Sequence, residues 1–249
     1  LRSIFFLSVV VVLIVAFWMI LVRPAVEAAQ ETAKRGESYY RMSLIVFALH
    51  QYEDTHNSLP AHASYDAKGQ PLLSWRVHIL PYLEETEGNK LYQEFHLDEP
   101  WDSPHNRQLI ARMPGAYQNP SLSKQAGLTN YLAVVGNACV FNGSKEGSDL
   151  EDISDGLENT ILLVEADADQ AVEWTRPADW EFDPSQPKSG LGSIRSSGIW
   201  IAAWADGQIT QLVRETDEQV LKDSFTRDGK EVFDRSSSIP GFDVRHRPP

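Results

Sequence analysis

The sequence predicts an α+β fold: a long N-terminal helix first, then a globular head in which short helices precede short strands. Three observations predict it. An apolar run occupies Ile4 to Val22, and a second apolar stripe at helical spacing follows it to about Tyr52. The second half of the chain breaks into short β-branched and apolar runs separated by Gly, Asn and Asp. One separator, Asp206-Gly207 between WIAAWA and QITQLV, is a strong hairpin signal because both turn residues tolerate positive φ.

The first run, IFFLSVVVVLIVAFWMILV, is interrupted only by Ser8. Its roughly nineteen residues, at about 1.5 Å rise each, span about 28 Å, close to the hydrocarbon core of a bilayer. It is apolar all round, whereas a core helix of a soluble protein carries a polar stripe. Residues 1–23 therefore read as a transmembrane anchor. The nearest alternative is a cleaved secretory signal, for which Val26-Glu27-Ala28 offers small-residue cleavage chemistry and Arg2 a thin positive flank. The run exceeds the roughly 7 to 15 residues of such a signal, and Arg23-Pro24 interposes a charge. Both readings send the remainder out of the cytoplasm.

Arg23-Pro24 marks the membrane interface, and Pro24 is expected to kink or open the helix because it lacks a backbone donor. Residues 24–53 form a helical stalk: Ala25, Ala28, Ala29 and Ala33 favour helix, and Met42, Ile45 or Val46, Leu49 and Tyr52 recur at steps of three and four. The whole helix runs up to about 50 residues, and Asn57, Ser58 and Pro60 stop it. The head occupies 54–234. In it, LLSWRVHILPYLEE fits strand and helix periodicities alike; Ser74 as a cap and Glu84-Glu85 at the end favour a short helix. Asn89 to Phe95 reads as helical, and Asp102-Ser103-Pro104 opens another helix over His105 to Met113. Asn130 to Phe141, Thr160 to Glu165 and Ile199 to Ala205 read as strands. Thr216 with Gln219 reads as a capping box for a helix to Phe225. Residues 235–249 read as a flexible tail.

Lys and Arg number 22 against 35 Asp and Glu, a net charge of −13. Such a surface repels phosphate backbones, which excludes nucleic acid, and suits cations or basic partners. Cys139 is the single cysteine, so no intrachain disulfide can form. It lies in an apolar run and reads as a small buried hydrophobe.

PAVEAAQETAKR, ALHQYEDTHNSLP, LLSWRVHILPYLEE, LYQEFHLDEPWDSPHN, TNYLAVVG, DGLENTILLVE, VEWTRPADW and ADGQITQL follow one another in order along the chain. Together these pieces resemble the DUF1559 family of planctomycete type IV pilin-like proteins, also catalogued as a solute-binding-protein-like domain. The resemblance implies a pilin-like architecture: a long helix, transmembrane in its first half, carrying an α+β head with an antiparallel sheet outside the cytoplasm. Flanking charge alone would allow a cytoplasmic head, since Arg23, Lys34 and Arg35 outweigh Arg2; the resemblance decides for outside. Typical members begin with a prepilin peptidase glycine and an assembly glutamate. Counting back from Pro24, these positions fall near Arg2 and at Leu7. A carboxylate in lipid is costly unless paired, so Leu7 makes a permanent anchor cheaper and filament assembly doubtful.

Candidate chemistry is sparse. Asp149, Asp152 and Asp155 stand within the acidic stretch SDLEDISDGLENT, an oxygen density that could hold Ca²⁺. EF-hand spacing is missing, and a solvated turn is the preferred reading. No other cofactor is indicated. Seven histidines are scattered without metal-ligand spacing, and there is no GxSxG elbow, P-loop or GxGxxG, so no enzyme is expected. Trp174, Trp200 and Trp204 are candidates for a ligand or partner surface, because tryptophans stack on sugars and fill interfaces. Trp200 and Trp204, four apart in a strand, share a face. Pro24, Glu165, Asp206 and Gly207 are assigned structural roles, Glu165 a hydrogen bond and Asp206-Gly207 the hairpin turn. The sequence thus reads as a non-enzymatic, single-pass protein of the cytoplasmic membrane whose partners are the bilayer and other envelope proteins. The alternative is an extracytoplasmic module binding a solute or carbohydrate.

Overall fold

The computed structural model describes residues 13–83, 86–122 and 126–229, together with Phe6 and Val11. Arg2, Leu7, Glu84, Glu85 and the expected tail 235–249 lie outside the described residues. The chain divides into two units, 1–37 and 38–249.

In the first unit the helix is continuous from Leu13. It widens into one π turn at Trp18–Val22 and resumes as α1, Arg23–His56. The N–H of Arg23 reaches back five residues to the carbonyl of Trp18. Pro24 supplies no N–H, and its ring would press on the carbonyl four residues before it. The wide turn just ahead of Pro24 accommodates the ring, so the expected opening occurs without a break. Leu13, Ile14, Phe17, Ile20 and Leu21 are each more than half exposed. Beyond Pro24 the surface turns polar, with Arg23 paired to Glu27 at 2.8 Å.

In the second unit α1 buries Ser38, Met42, Ile45, Val46, Ala48 and Leu49. It stops where the sequence predicts. Asn57 takes the left-handed conformation, φ 56, and its N–H closes on the carbonyl of Glu53 at 2.7 Å. Strands β1, Ala63–Tyr65, and β2, Pro71–Ser74, form a small antiparallel pair. The stretch LLSWRVHILPYLEE begins in a strand and then turns into the expected short helix. Its Leu72 and Leu73 belong to β2, then the Ser74 hydroxyl accepts from the N–H of Arg76 and opens a single turn, α2, Trp75–His78. A 3₁₀ turn at Leu80–Tyr82 and α3, Thr86–Glu94, follow. The helix expected over His105 to Met113 is a 3₁₀ helix, Asn106–Arg112, opened by the Ser103 hydroxyl accepting from the N–H of Asn106.

Strands β3, Leu128–Thr129, and β6, Val172–Glu173, pair antiparallel. The main sheet contains β4, Tyr131–Val135, β5, Ile161–Glu165, β7, Trp180–Glu181, β8, Ile199–Trp204, and β9, Ile209–Val213, in the order β7-β4-β5-β8-β9. Every pairing in it is antiparallel except β4 with β7. The expected strand Asn130 to Phe141 ends early, because a turn folds the Cys139 N–H onto the Gly136 carbonyl and returns Phe141 as a single parallel bridge to Val135. The β8–β9 hairpin forms as expected, with Gly207 at φ +84 and the Asp206 carboxylate accepting from the N–H of Gln208 at 3.0 Å. The final helix, α4, Glu218–Phe225, is capped differently from the expected box. The Asp217 carboxylate accepts from the N–H groups of Gln219 and Val220, while the Thr216 hydroxyl accepts from the N–H of Val213.

Alternation along the strands builds a core on each face of the sheet. Tyr131, Ala133, Ile201 and Ala203 face the side of Met42, Leu49, Trp75 and Trp174. Leu132, Val134, Trp200, Ala202 and Trp204 face the side of Trp180, Leu221 and Phe225. A register shift between Ile161 and Leu163 lets Leu162 and Leu163 both point to the first side.

Candidate functional site

Two buried arginine–carboxylate clusters lie along β4 and β5, and they are the strongest concentration of polar chemistry in the second unit. The first centres on Glu165, at the end of β5 and fully buried. Arg195 grips it with both terminal nitrogens, Nη2 to Oε1 at 2.7 Å and Nη1 to Oε2. The Asn119 amide adds a donor to Oε1 at 2.7 Å, and Arg195 Nη2 also donates to the Ser38 hydroxyl of α1 at 3.0 Å. Asn119 Oδ1 in turn accepts from the N–H of Ser121 at 2.7 Å, which fixes its orientation. Tyr131 lies against this group, and burial together with the Glu165 charge raises its phenol above the ordinary value.

Arg195 owes its position to its loop. Asp167 accepts from the N–H groups of Ser193 and Ile194 at 2.5 and 2.7 Å, which aims the next side chain inward. Sequence reasoning assigned Glu165 its hydrogen-bonding role but missed Arg195. The available signal was a lone Arg in the Gly/Ser-rich stretch SGLGSIRSSG.

The second cluster centres on Arg76, buried after the cap of α2. Its guanidinium bonds the Asp179 carboxylate, the Tyr131 carbonyl at 3.1 and 3.2 Å and the Ser74 hydroxyl at 2.8 Å, and it lies 4.7 Å over the Trp75 ring. Asp179 also accepts from the Trp75 indole at 3.2 Å and from the N–H of Ala133 at 2.8 Å. It thereby seats the loop before β7 on the edge of β4. In both clusters the carboxylate accepts from an arginine and from at least one further donor, and its side chain is shut from water. A buried carboxylate so held ties together the segments that donate to it.

The tryptophans proposed as a binding surface are core residues. Trp174 packs between Phe95 and Tyr117 and donates its indole N–H to the Ile110 carbonyl at 2.9 Å. Trp204 donates to the Thr210 hydroxyl at 2.7 Å, and Trp200 shares its face with Trp180 and Leu212. All three are at most 1% exposed. Large aromatic area wins more free energy inside a two-sided sheet core than on a surface.

Among the described residues no group of three or more His, Cys, Asp or Glu is placed to hold a metal ion. Asp149 caps the 3₁₀ turn Leu150–Asp152 by accepting from the N–H of Glu151 at 2.9 Å. Asp155 accepts from the N–H of Gly229 at 2.8 Å, and Asp152 is exposed. The acidic stretch is a turn that receives the chain after α4. Cys139 is buried and its thiol is pushed up to about 12 by desolvation. A shallow depression between residues 59–62 and 140–148 is too slight to enclose a small molecule.

Residues 27–235 match the profile of the family described as "Protein of unknown function (DUF1559)". No curated protein and no solved structure matches the chain.

Proposed function

Because the chain belongs to the DUF1559 family, we propose that it is a non-enzymatic envelope protein, anchored by one membrane-spanning helix and presenting a pilin-like head outside the cytoplasm in a structural or interaction role. The observation that carries this reading is the N-terminal helix, long and apolar enough to cross a membrane and with none of its apolar window buried. A soluble protein that left so much apolar surface bare would aggregate; a bilayer covers it.

The head supports an interaction role rather than catalysis. Its buried carboxylates are held in arginine pairs away from water, its large tryptophans are internal, and its net charge disfavours nucleic acid. Other envelope proteins are the proposed partners. Filaments are not, since Arg2 and Leu7 stand where a pilin carries its peptidase glycine and assembly glutamate.

Protease added to intact spheroplasts tests the reading. Digestion of the head to an anchor-sized remnant is expected. A head protected until the membrane is broken would overturn the topology.

A further inference from the structure

Among the described residues of the second unit, the large hydrophobic side chains left exposed are Tyr40, Phe47 and Leu97, at 59%, 50% and 38%. The first two stand on α1 seven residues apart, which is two turns along one face. That face points away from the core, because the helix buries Met42, Ile45, Val46 and Leu49 on its other side. Ser43 lies between them, and its hydroxyl folds back to donate to the Tyr40 carbonyl at 2.6 Å, so it offers a neighbour a small surface with its donor already used. In the sequence the same seven-residue step runs back through Ala33 to Val26, with Gly36 and Ala29 interleaved as Ser43 is.

We propose that this face of α1 is the seam of a parallel homodimer, occupied by the same face of a second copy of the chain. A repeat of seven, apolar at one position and small at the next, is the pattern of a helix that supercoils with a helical partner. Neither lipid nor an irregular protein surface calls for it. The identity of the partner follows from tethering: copies held in one bilayer share orientation and depth, so like helices meet parallel and in register. This step rests on the membrane-anchored reading above. Charge agrees with a like partner, since this face itself, Tyr40, Ser43 and Phe47, carries no charge for a second copy to repel. The next step of seven is the exposed Asp54, where two copies would repel, so the seam ends before it.

Cross-linking of the full chain in native membranes tests the seam. Cys139 is silent background, being buried with its thiol pushed up to about 12. Under mild oxidation Ser43→Cys and Phe47→Cys are expected to yield a band at twice the 28.0 kDa of one chain. Leu97→Cys, also exposed but off the helix, is expected to yield at least tenfold less. Adding Tyr40→Glu to Phe47→Cys should cut the dimer band at least tenfold while the chain stays in the membrane fraction. Equal cross-linking at Leu97→Cys, a dominant band at another mass, or membrane-held monomers throughout would overturn the seam and leave the anchored reading standing. A chain recovered without membranes would overturn both.

Discussion

Arg195 and Glu165 meet as a doubly hydrogen-bonded pair, thirty residues apart in the chain and both side chains fully withheld from water. The pair links β5 to the loop before β8 and, through Ser38, to α1. Removing one member of such a pair strands the other charge in a low dielectric. Arg195→Met is therefore expected to lower the unfolding free energy by about 3 to 5 kcal/mol in denaturant titration of the detergent-solubilised chain. Arg195→Lys should restore little, because an ammonium cannot span both carboxylate oxygens and the Ser38 hydroxyl together. The double change Glu165→Leu with Arg195→Met should recover most of the loss, since no lone charge remains.

His78 gives the head an acid sensitivity. Desolvation lowers it from 6.5 to about 4, so between these values the unfolded chain takes up a proton that the native chain refuses. Its contribution is complete above pH 6.5, is lost as pH falls toward 4, and changes no further below that. The loss approaches about 3 kcal/mol at roughly 1.4 kcal/mol per pH unit. Burial lowers His50 as well, against the pull of Glu53, Asp54 and Asp206, and this acts in the same direction. Stability measured from pH 7 to 4 should fall less steeply in His78→Phe than in the native chain; identical slopes would contradict the assignment.

Gly147 is required for room rather than for conformation. A Cβ there would stand 1.6 Å from the Leu59 carbonyl oxygen, beside the 2.9 Å bond from the Leu59 N–H to the Ser148 carbonyl. Gly147→Ala must push these two segments apart and should lower stability by about 1 to 3 kcal/mol. The corresponding drop in Tm is the readout, with Gly143→Ala, where nothing lies within 4 Å, isolating the cost of positive φ alone, about 1 to 2 kcal/mol.

What could be read ahead was what local chemistry decides. The span of α1, its stop at Asn57, the β8–β9 hairpin and the strand positions follow from periodicity and turn residues, which act within a few neighbours. The clamps could not be read this way. Arg76 finds Asp179 about a hundred residues later, and Arg195 finds Ser38 farther still. The lone Arg195 in its Gly/Ser-rich stretch marks a side chain that stands out but does not name Glu165 or Ser38 as its partner. The capping of α4 was misread because Thr216 and Asp217 are both competent caps, and the geometry that seats Thr216 on Val213 leaves Asp217 at the helix mouth. Trp174, Trp200 and Trp204 looked available for ligands because a sequence does not reveal that both faces of its sheet are covered.

The separation between Ser38 and Arg195 sets a clock on the nascent chain. Arg195 follows Ser38 by 157 residues, and at synthesis rates of about 5 to 20 residues per second it emerges roughly 8 to 30 s later. Through that interval Met42, Ile45 and Leu49 have left the ribosome without β8, whose Ile201 and Ala203 complete their side of the core. A chain truncated before residue 195 would leave that greasy core incompletely covered, a mark by which proteases and chaperones can tell an unfinished copy from a finished one.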